Sequence, residues 1–300
     1  MSDWAWVPPI DSGIRLRMVA ANGITLELAE LDAADGGTDR LALCLHGFPE
    51  LNYSWRHQMP LLSARGWRVW APNLRGYGAS DKPAGIAAYR LNTLAEDIAA
   101  LIDASGTREV MLVAHDWGAV IAWHFAIKRV RPLARLVIMN VPHPMVMRRE
   151  TRNWRQLMMS WYILFFQLPW LPEFGLLQGG ARRIGQAFTG MAIDKPRFPP
   201  EVTDVYRGAA LRPGAITAML NYYRALLRTP DYRDIGDGRI DTPTLMIWGM
   251  EDKALGPWCA QGTEAWVPQL TLHRLPGVSH WVQQEAPEAV NALLGAWLDA

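Results

Sequence analysis

The stretch that decides the fold is Val110-Met111-Leu112-Val113-Ala114-His115-Asp116-Trp117-Gly118-Ala119. Its apolar first half is typical of a buried strand, and the residues from 120 to 129 follow the pattern of a helix. Between them, small residues at positions 114 and 118 flank Asp116. This is the pattern of a nucleophile elbow, a strained turn that presents a reactive side chain. An aspartate at such a turn attacks saturated carbon and forms an ester with the enzyme itself.

Length and composition limit the possible classes of protein. The chain has 300 residues, half of them hydrophobic, and a formal net charge of +1. This length allows one large domain or a core with an insertion. No charge excess favours nucleic acid or an anionic membrane as partner. Without a leader pattern at the N-terminus or an apolar stretch that could span a bilayer, we predict a soluble cytoplasmic protein. Cys44 and Cys259 are interpreted as reduced packing residues, with a single disulfide as the alternative.

Short apolar segments alternate with amphipathic ones along most of the chain. Asn22-Gly23 predicts a hairpin turn, and Asn92 or Thr93 is predicted to cap a helix. Strands are predicted at 15–20, 24–31, 41–45, 67–71, 110–114, 136–139, 244–248 and 270–275. This alternation predicts an α/β protein whose mostly parallel sheet is flanked by helices on both faces.

The alternation breaks between residues 144 and 239, which show helical patterns and no convincing strand. We therefore predict that 144–239 is an inserted helical cap (lid) domain over the carboxyl edge of the sheet. Residues 1–143 and 240–300 form the predicted core domain. Several of the 15 tryptophans lie between Trp154 and Trp170, which predicts an aromatic-rich core or a large apolar cavity. The stripe Trp161, Phe165, Phe166 and Trp170 is interpreted as both core and cavity lining.

Seven motifs in a fixed order resemble the epoxide hydrolases of the α/β-hydrolase fold, with the haloalkane dehalogenases as near relatives. The resemblance is weakest before residue 13 and over residues 175–215. It implies hydrolysis of a small apolar epoxide to a vicinal diol, with no cofactor and no metal. The motifs are His46-Gly47-Phe48-Pro49-Glu50, Arg75-Gly76-Tyr77-Gly78-Ala79-Ser80-Asp81, the Asp116 elbow, Tyr162 with Phe165-Phe166-Gln167-Leu168-Pro169, Asn221-Tyr222-Tyr223-Arg224, Gly249-Met250-Glu251-Asp252 and Gly277-Val278-Ser279-His280-Trp281.

A catalytic triad follows in the chain order nucleophile, acid, histidine. Asp116 is the nucleophile, and a carboxyl group with an ordinary pKa of about 3.9 is ionised at neutral pH and needs no base. His280 is therefore free to activate the water that hydrolyses the ester, with a carboxylate to orient its ring. The family pattern indicates Asp252 as that carboxylate. The residues alone leave the neighbouring Glu251 as an alternative.

The resemblance also implies the other site residues. The backbone N–H groups of Phe48 and Trp117 would form an oxyanion hole, and the Phe48–Pro49 peptide would be cis. Tyr162 and Tyr223 would donate to the oxygen of the opened epoxide, while Tyr222 would pack elsewhere or face solvent. The predicted substrate pocket consists of Phe48, Trp117, Phe165, Phe166 and Trp281.

Two alternatives remain for the function. Haloalkane dehalogenases share the aspartate and the following tryptophan, but usually have an asparagine where this chain has Phe48. Fluoroacetate dehalogenases share the His-Gly-Phe-Pro turn, but have an arginine in the place of Trp117. A non-catalytic ligand-binding protein on the same fold is the second alternative. The seven histidines show no metal-ligand spacing, and the chain is predicted to be a monomer or homodimer.

Overall fold

An eight-stranded sheet forms the centre of the computed structural model, which describes residues 4–300. Residues 1–3, the start of the segment in which we predicted no leader, lie outside the described residues. The strands are Arg15–Ala21 (β1), Ile24–Leu31 (β2), Arg40–Leu45 (β3), Arg68–Pro72 (β4), Glu109–His115 (β5), Arg135–Met139 (β6), Thr244–Gly249 (β7) and Leu270–Leu275 (β8).

The strand order is β1-β2-β4-β3-β5-β6-β7-β8. The pairs β1–β2 and β2–β4 are antiparallel, and β1–β2 is the hairpin predicted at Asn22-Gly23. All the other neighbouring pairs are parallel. The mostly parallel sheet is therefore confirmed, with strand bounds within one or two residues of those predicted.

Helices cover both faces of the sheet, because successive side chains of a strand point to opposite sides. In β3, Leu41 and Leu43 pack in one cluster with Ile98 and Ile121, whereas Ala42 packs in the opposite one. The helices that flank the sheet are Met59–Ala64 (α1), Leu91–Ser105 (α2) and Trp117–Ile127 (α3), and near the C-terminus Val282–Glu285 (α10) and Pro287–Leu298 (α11).

Between β6 and β7 the described chain is helical and contains no strand. Its helices are Pro144–Glu150 (α4), Trp154–Met159 (α5), Trp161–Phe165 (α6), Leu171–Met191 (α7), Pro200–Ala210 (α8) and Ala215–Arg228 (α9). Helix α7 consists of two stretches, because the backbone leaves the helical conformation from Gln178 to Ala181. The division into core and cap domains remains a prediction. Within residues 4–300, no helix combines the length and apolarity needed to cross a bilayer.

One local prediction was wrong, and a second was right only in part. Helix α2 begins at Leu91, and neither Asn92 nor Thr93 caps it. The side-chain oxygen of Asn92 instead hydrogen-bonds the ring of His124, 2.8 Å away. This tertiary contact uses the oxygen that would otherwise have capped the helix. The aromatic segment is core only in part, because Phe166 is buried in the main core cluster whereas Trp154 and Trp170 are 69% and 74% exposed. Both cysteines are free and buried, as predicted.

Candidate active site

Asp116 lies at the turn between β5 and α3, with a φ of 47° and a ψ of −122°. Such a backbone conformation is costly for a residue other than glycine, and it occurs mostly where a side chain is held for function. Neighbouring segments of the backbone lie very close to this turn. A Cβ at Gly118 would overlap the Leu45 carbonyl oxygen, and a Cβ at Gly47 would overlap the Asp116 side chain. The glycines thus permit the strand–turn–helix geometry that the sequence predicted.

One predicted oxyanion donor contacts the Asp116 carboxylate directly. The backbone N–H of Phe48 donates to Asp116 Oδ1 at 2.6 Å, and the Phe48–Pro49 peptide is cis, as the resemblance implied. Trp117 is the first residue of α3, so its N–H has no partner within the helix. No hydrogen bond joins that N–H to the carboxylate within the described chain. The structure therefore brings one of the two predicted donors into contact.

The His280 ring lies between two carboxylates. Its Nδ1 is 2.6 Å from Asp252 Oδ2, and its Nε2 is 3.5 Å from Asp116 Oδ2. Glu251 instead accepts hydrogen bonds from the backbone N–H groups of Gly277 and Val278. Although Glu251 and Asp252 are adjacent, only Asp252 contacts the histidine. The geometry therefore favours Asp252 as the orienting carboxylate.

The Asp252 carboxylate is firmly held. It accepts hydrogen bonds from Asn140 Nδ2 at 2.8 Å and from the backbone N–H groups of Ala254 and Leu255 at 2.7 and 3.0 Å. Burial opposes its ionisation, but the charge and hydrogen bond of His280 and these donors hold the pKa of Asp252 below its usual range. Sequence reasoning missed Asn140. The available signal was a polar residue directly after the buried strand β6, at the carboxyl edge of the sheet.

The same two carboxylates change the titration of His280. Burial alone would lower its pKa, but the charge of Asp252 and the hydrogen bonds to Asp116 and Asp252 raise it to about 10. The ring is therefore an imidazolium at neutral pH while both aspartates are ionised. In that state His280 cannot act as a base, so a basic role requires that one of the neighbouring charges first disappears.

Glu50 is a second buried carboxylate that sequence reasoning did not assign. It accepts hydrogen bonds from Gly47 N–H at 3.0 Å and from His115 Nδ1 at 2.6 Å. His115 Nε2 in turn donates to the His280 carbonyl oxygen at 2.8 Å. Despite burial, the charge of His115 and these bonds lower the pKa of Glu50 to about 2. Glu50 thus links the Phe48 turn, the elbow strand and the His280 loop. Its position in the His-Gly-Phe-Pro-Glu motif was the available signal.

Tyr162 on α6 and Tyr223 on α9 lie together, with ring centroids 5.9 Å apart. Burial raises the pKa of both phenols, and the nearby Asp116 charge raises it further. Both tyrosines therefore lie within the electrostatic influence of the nucleophile and stay protonated at neutral pH. Tyr222 is directed elsewhere: it is buried, and its hydroxyl donates to the Arg75 carbonyl oxygen at 2.7 Å.

The predicted pocket residues divide into two groups. Phe48, Trp117 and Phe166 each contact the Tyr223 ring, with centroids 5.5, 4.9 and 5.0 Å away, and Phe165 packs on Phe166. Trp281 is only 2% exposed and packs between His280 and Phe188, so its place in the pocket remains a prediction. Within residues 4–300, no group of three or more histidine, cysteine or acidic side chains is arranged to hold a metal ion.

Comparison with known proteins identifies the family. The sequence pattern of the α/β-hydrolase fold matches residues 43–287. The AB hydrolase superfamily protein YfhM of Bacillus subtilis is 39% identical over 292 residues, which are 95% of this chain and 98% of YfhM. Epoxide hydrolase 4 of Mus musculus is 35% identical over 294 residues, which are 96% of this chain and 77% of that protein.

A solved structure extends the comparison to three dimensions. The epoxide hydrolase of Bacillus megaterium, in complex with an inhibitor, matches with a TM-score of 0.85 and 30% identity, covering 95% of this chain and all of that one. This chain belongs to the α/β-hydrolase fold family, within its epoxide hydrolase branch. It is a hydrolase, as the sequence motifs predicted.

Proposed function

We propose that this protein adds water across an oxirane to give a vicinal diol, through a covalent alkyl ester on Asp116. The observation that carries the proposal is a carboxylate at the elbow, with His280 Nε2 3.5 Å away and with the paired rings of Tyr162 and Tyr223 beside it. The Tyr223 ring lies 4.9 Å from that of Trp117, the residue after the nucleophile. A haloalkane dehalogenase would need donors for a departing halide. The phenols suit a leaving oxygen better, because an alkoxide is basic and must be protonated.

In the first half-reaction, Asp116 Oδ2 attacks one oxirane carbon, while Oδ1 stays on the Phe48 N–H. The carbon–oxygen bond of the ring breaks, and its electron pair passes to the oxygen. That oxygen takes a proton from Tyr162 or Tyr223, which leaves a phenolate. The products are a neutral ester on Asp116 and a hydroxyl group on the bound substrate.

Ester formation changes the state of His280. Asp116 no longer carries a charge, so one cause of the raised histidine pKa is gone. His280 then releases its proton, which restores the phenol, and becomes the neutral base that the second half-reaction needs. The charge of the nucleophile thus decides whether His280 is an acid or a base.

In the second half-reaction, neutral His280 takes a proton from water as the water oxygen attacks the ester carbonyl carbon. The negative charge that develops on Asp116 Oδ1 is stabilised by the Phe48 N–H and by the N–H of Trp117, which has no partner within α3. Collapse of this intermediate breaks the bond between the Asp116 carbonyl carbon and the ester oxygen, and the remaining proton of the attacking water passes to that oxygen. The diol leaves, with Asp116 again a carboxylate and His280 again an imidazolium. Protons and charges balance over the cycle.

A single turnover in heavy-oxygen water tests the proposal. Enzyme in excess over styrene oxide should release a diol whose new oxygen comes from unlabelled Asp116, and the label should appear in the Asp116 side chain. Label found in the diol of that first turnover would show direct attack by water and reject the ester. In a parallel assay, release of bromide from a bromoalkane without diol from styrene oxide would favour the dehalogenase alternative. A protein that converts neither would be a ligand-binding member of the fold.

A further inference from the structure

The segment from 154 to 177 exposes a concentration of large apolar side chains. Seventeen such side chains are exposed in the described chain, and ten of them lie in this short segment. Such a concentration of exposed apolar side chains favours a surface that binds a partner. We name these ten residues the outer apolar face: Trp154, Leu157, Met158, Trp161, Leu164, Leu168, Trp170, Leu171, Phe174 and Leu177.

The face follows helical spacing but points away from the protein. Trp154, Leu157, Met158 and Trp161 follow the spacing i, i+3, i+4 and i+7, which puts them on one side of the α5–α6 segment. Gln156, within the same stretch, is buried with 1% exposure. An amphipathic helix ordinarily turns its apolar side inward. Here the apolar side faces outward, so the segment lacks the partner that its pattern requires.

Trp170 supports this interpretation independently. Its backbone φ is 47°, a left-handed conformation that is uncommon for a bulky residue, and its side chain is 74% exposed. Burial within the protein therefore does not offset the cost of this conformation. Strain of this kind persists mainly where a residue is held for binding or function.

The exposed charged residues between 148 and 183 are all positive. Six arginines between 148 and 183 are exposed, and no exposed acidic residue lies in that range. Glu150 is buried and bonds Arg149, and Glu173 bonds Arg224. The other exposed arginines form no ion pair within residues 4–300; they are Arg148, Arg152, Arg155, Arg182 and Arg183. The net charge of +1 for the whole chain conceals this local surplus.

We infer that the outer apolar face docks on the surface of an anionic lipid bilayer. Tryptophan and phenylalanine insert at the boundary between headgroups and acyl chains, and arginines beside them bind anionic headgroups. A second copy of the chain fits less well. A two-fold contact sets a surface against itself, which would bring these arginines together without an exposed acid to pair with them. The inference does not depend on the proposed reaction.

Vesicle sedimentation tests the apolar part of the inference. The full chain should pellet with vesicles of phosphatidylcholine and phosphatidylglycerol, and much less with vesicles of phosphatidylcholine alone. The double variant Trp154→Ser/Trp170→Ser should lose most of this binding and keep the wild-type melting temperature, because both side chains are exposed. Ile10→Ser is the matched control, since Ile10 is a fully exposed apolar residue outside the face, and it should bind like the wild type.

A charge-matched pair tests the electrostatic part. Arg182→Gln/Arg183→Gln should weaken binding to the anionic vesicles about five-fold for each arginine removed. Arg108→Gln/Arg274→Gln removes the same charge from exposed residues outside the segment and should leave binding unchanged. Raising the salt concentration should weaken wild-type binding, because screening acts on the headgroup attraction.

Three results would overturn the inference. They are no binding to anionic vesicles, equal binding to neutral and anionic vesicles, or an equal loss of binding in the control pair Arg108→Gln/Arg274→Gln. Analytical ultracentrifugation tests the alternative that a second copy of the chain binds to the face. A dimer that Trp154→Ser/Trp170→Ser dissociates, together with absent vesicle binding, would assign the face to a second copy of the chain.

Discussion

Replacing Asp116 by asparagine removes one of the two negative charges beside the His280 ring while keeping the shape of the side chain. The atoms Asp116 Oδ2 and His280 Nε2 are 3.5 Å apart. At an effective dielectric constant of about 20, two unit charges at this separation interact by about 5 kcal/mol. Removing that interaction should lower the pKa of His280 from about 10 by roughly three units, while Asp252 continues to raise it and burial to lower it. Asp116→Asn should therefore turn His280 from an imidazolium into a group that titrates near neutral pH.

The assay is a pH titration of the histidine ring signals by NMR. The signal of His280 is assigned by its absence in His280→Gln. In the wild type it should report a protonated ring up to about pH 9, whereas in Asp116→Asn it should pass its midpoint roughly three pH units lower. Glu251→Gln is the matched control, because it also removes a carboxylate but one that bonds backbone N–H groups and not the ring. Intact-mass measurement verifies that the amide of the variant is retained.

A His280 pKa that is the same in Asp116→Asn and the wild type would refute the reasoning. It would mean that Asp252 alone sets the protonation of the ring. The proposed exchange of roles, in which ester formation makes the histidine a base, would then fail even if the ester itself forms. An equal shift in Glu251→Gln would refute it as well, since the effect would then be one of overall charge.

Three further predictions follow from the same geometry. Tyr223→Phe should slow ester formation by about ten- to a thousand-fold in stopped-flow experiments, because a positioned proton donor is lost. The control Tyr222→Phe should react at the wild-type rate, because the Tyr222 hydroxyl bonds a backbone carbonyl. Equal slowing in both variants would reject the assignment. Asp252→Asn should prolong the life of the ester seen by intact-mass measurement, and Glu251→Gln should not; the opposite result would transfer the orienting role to Glu251. Because folding raises the pKa of His280 from 6.5 to about 10, its contribution to stability is fully present below pH 6.5 and is lost as the pH rises toward 10. The melting temperature of the wild type should fall more over that window than that of His280→Gln, and parallel curves would contradict this.

The sequence alone was enough to predict the elbow and the sheet. An apolar run, two small residues and a helical pattern are local features, and they lead to β5, Asp116 and α3 because sterics and hydrophobic burial act on neighbouring residues. The order of Asp116, Asp252 and His280 along the chain was likewise sufficient to predict that they meet, since each follows the carboxyl end of a strand in one parallel sheet.

Where long-range contact competes with local preference, the sequence was insufficient. Asn92 has the side chain of a helix cap, yet a hydrogen bond to His124 uses it instead. The tryptophans of the α5–α6 segment follow the periodicity of a buried helix, yet they are exposed. Hydrophobic periodicity shows that one side of a helix is apolar, but whether anything covers that side depends on the rest of the fold and on partners.

Only the tertiary structure distinguished Asp252 from Glu251 and revealed the roles of Asn140 and Glu50. Asp252 and Glu251 are chemically similar neighbours, and the path of the turn after β7 directs one to His280 and the other to a backbone turn. Asn140 reaches Asp252 across more than a hundred residues of chain. The raised pKa of His280 has the same origin, because it depends on ångström-scale distances between charges that packing brings together. Local patterns therefore determined which groups the site contains, and packing determined how they act on each other.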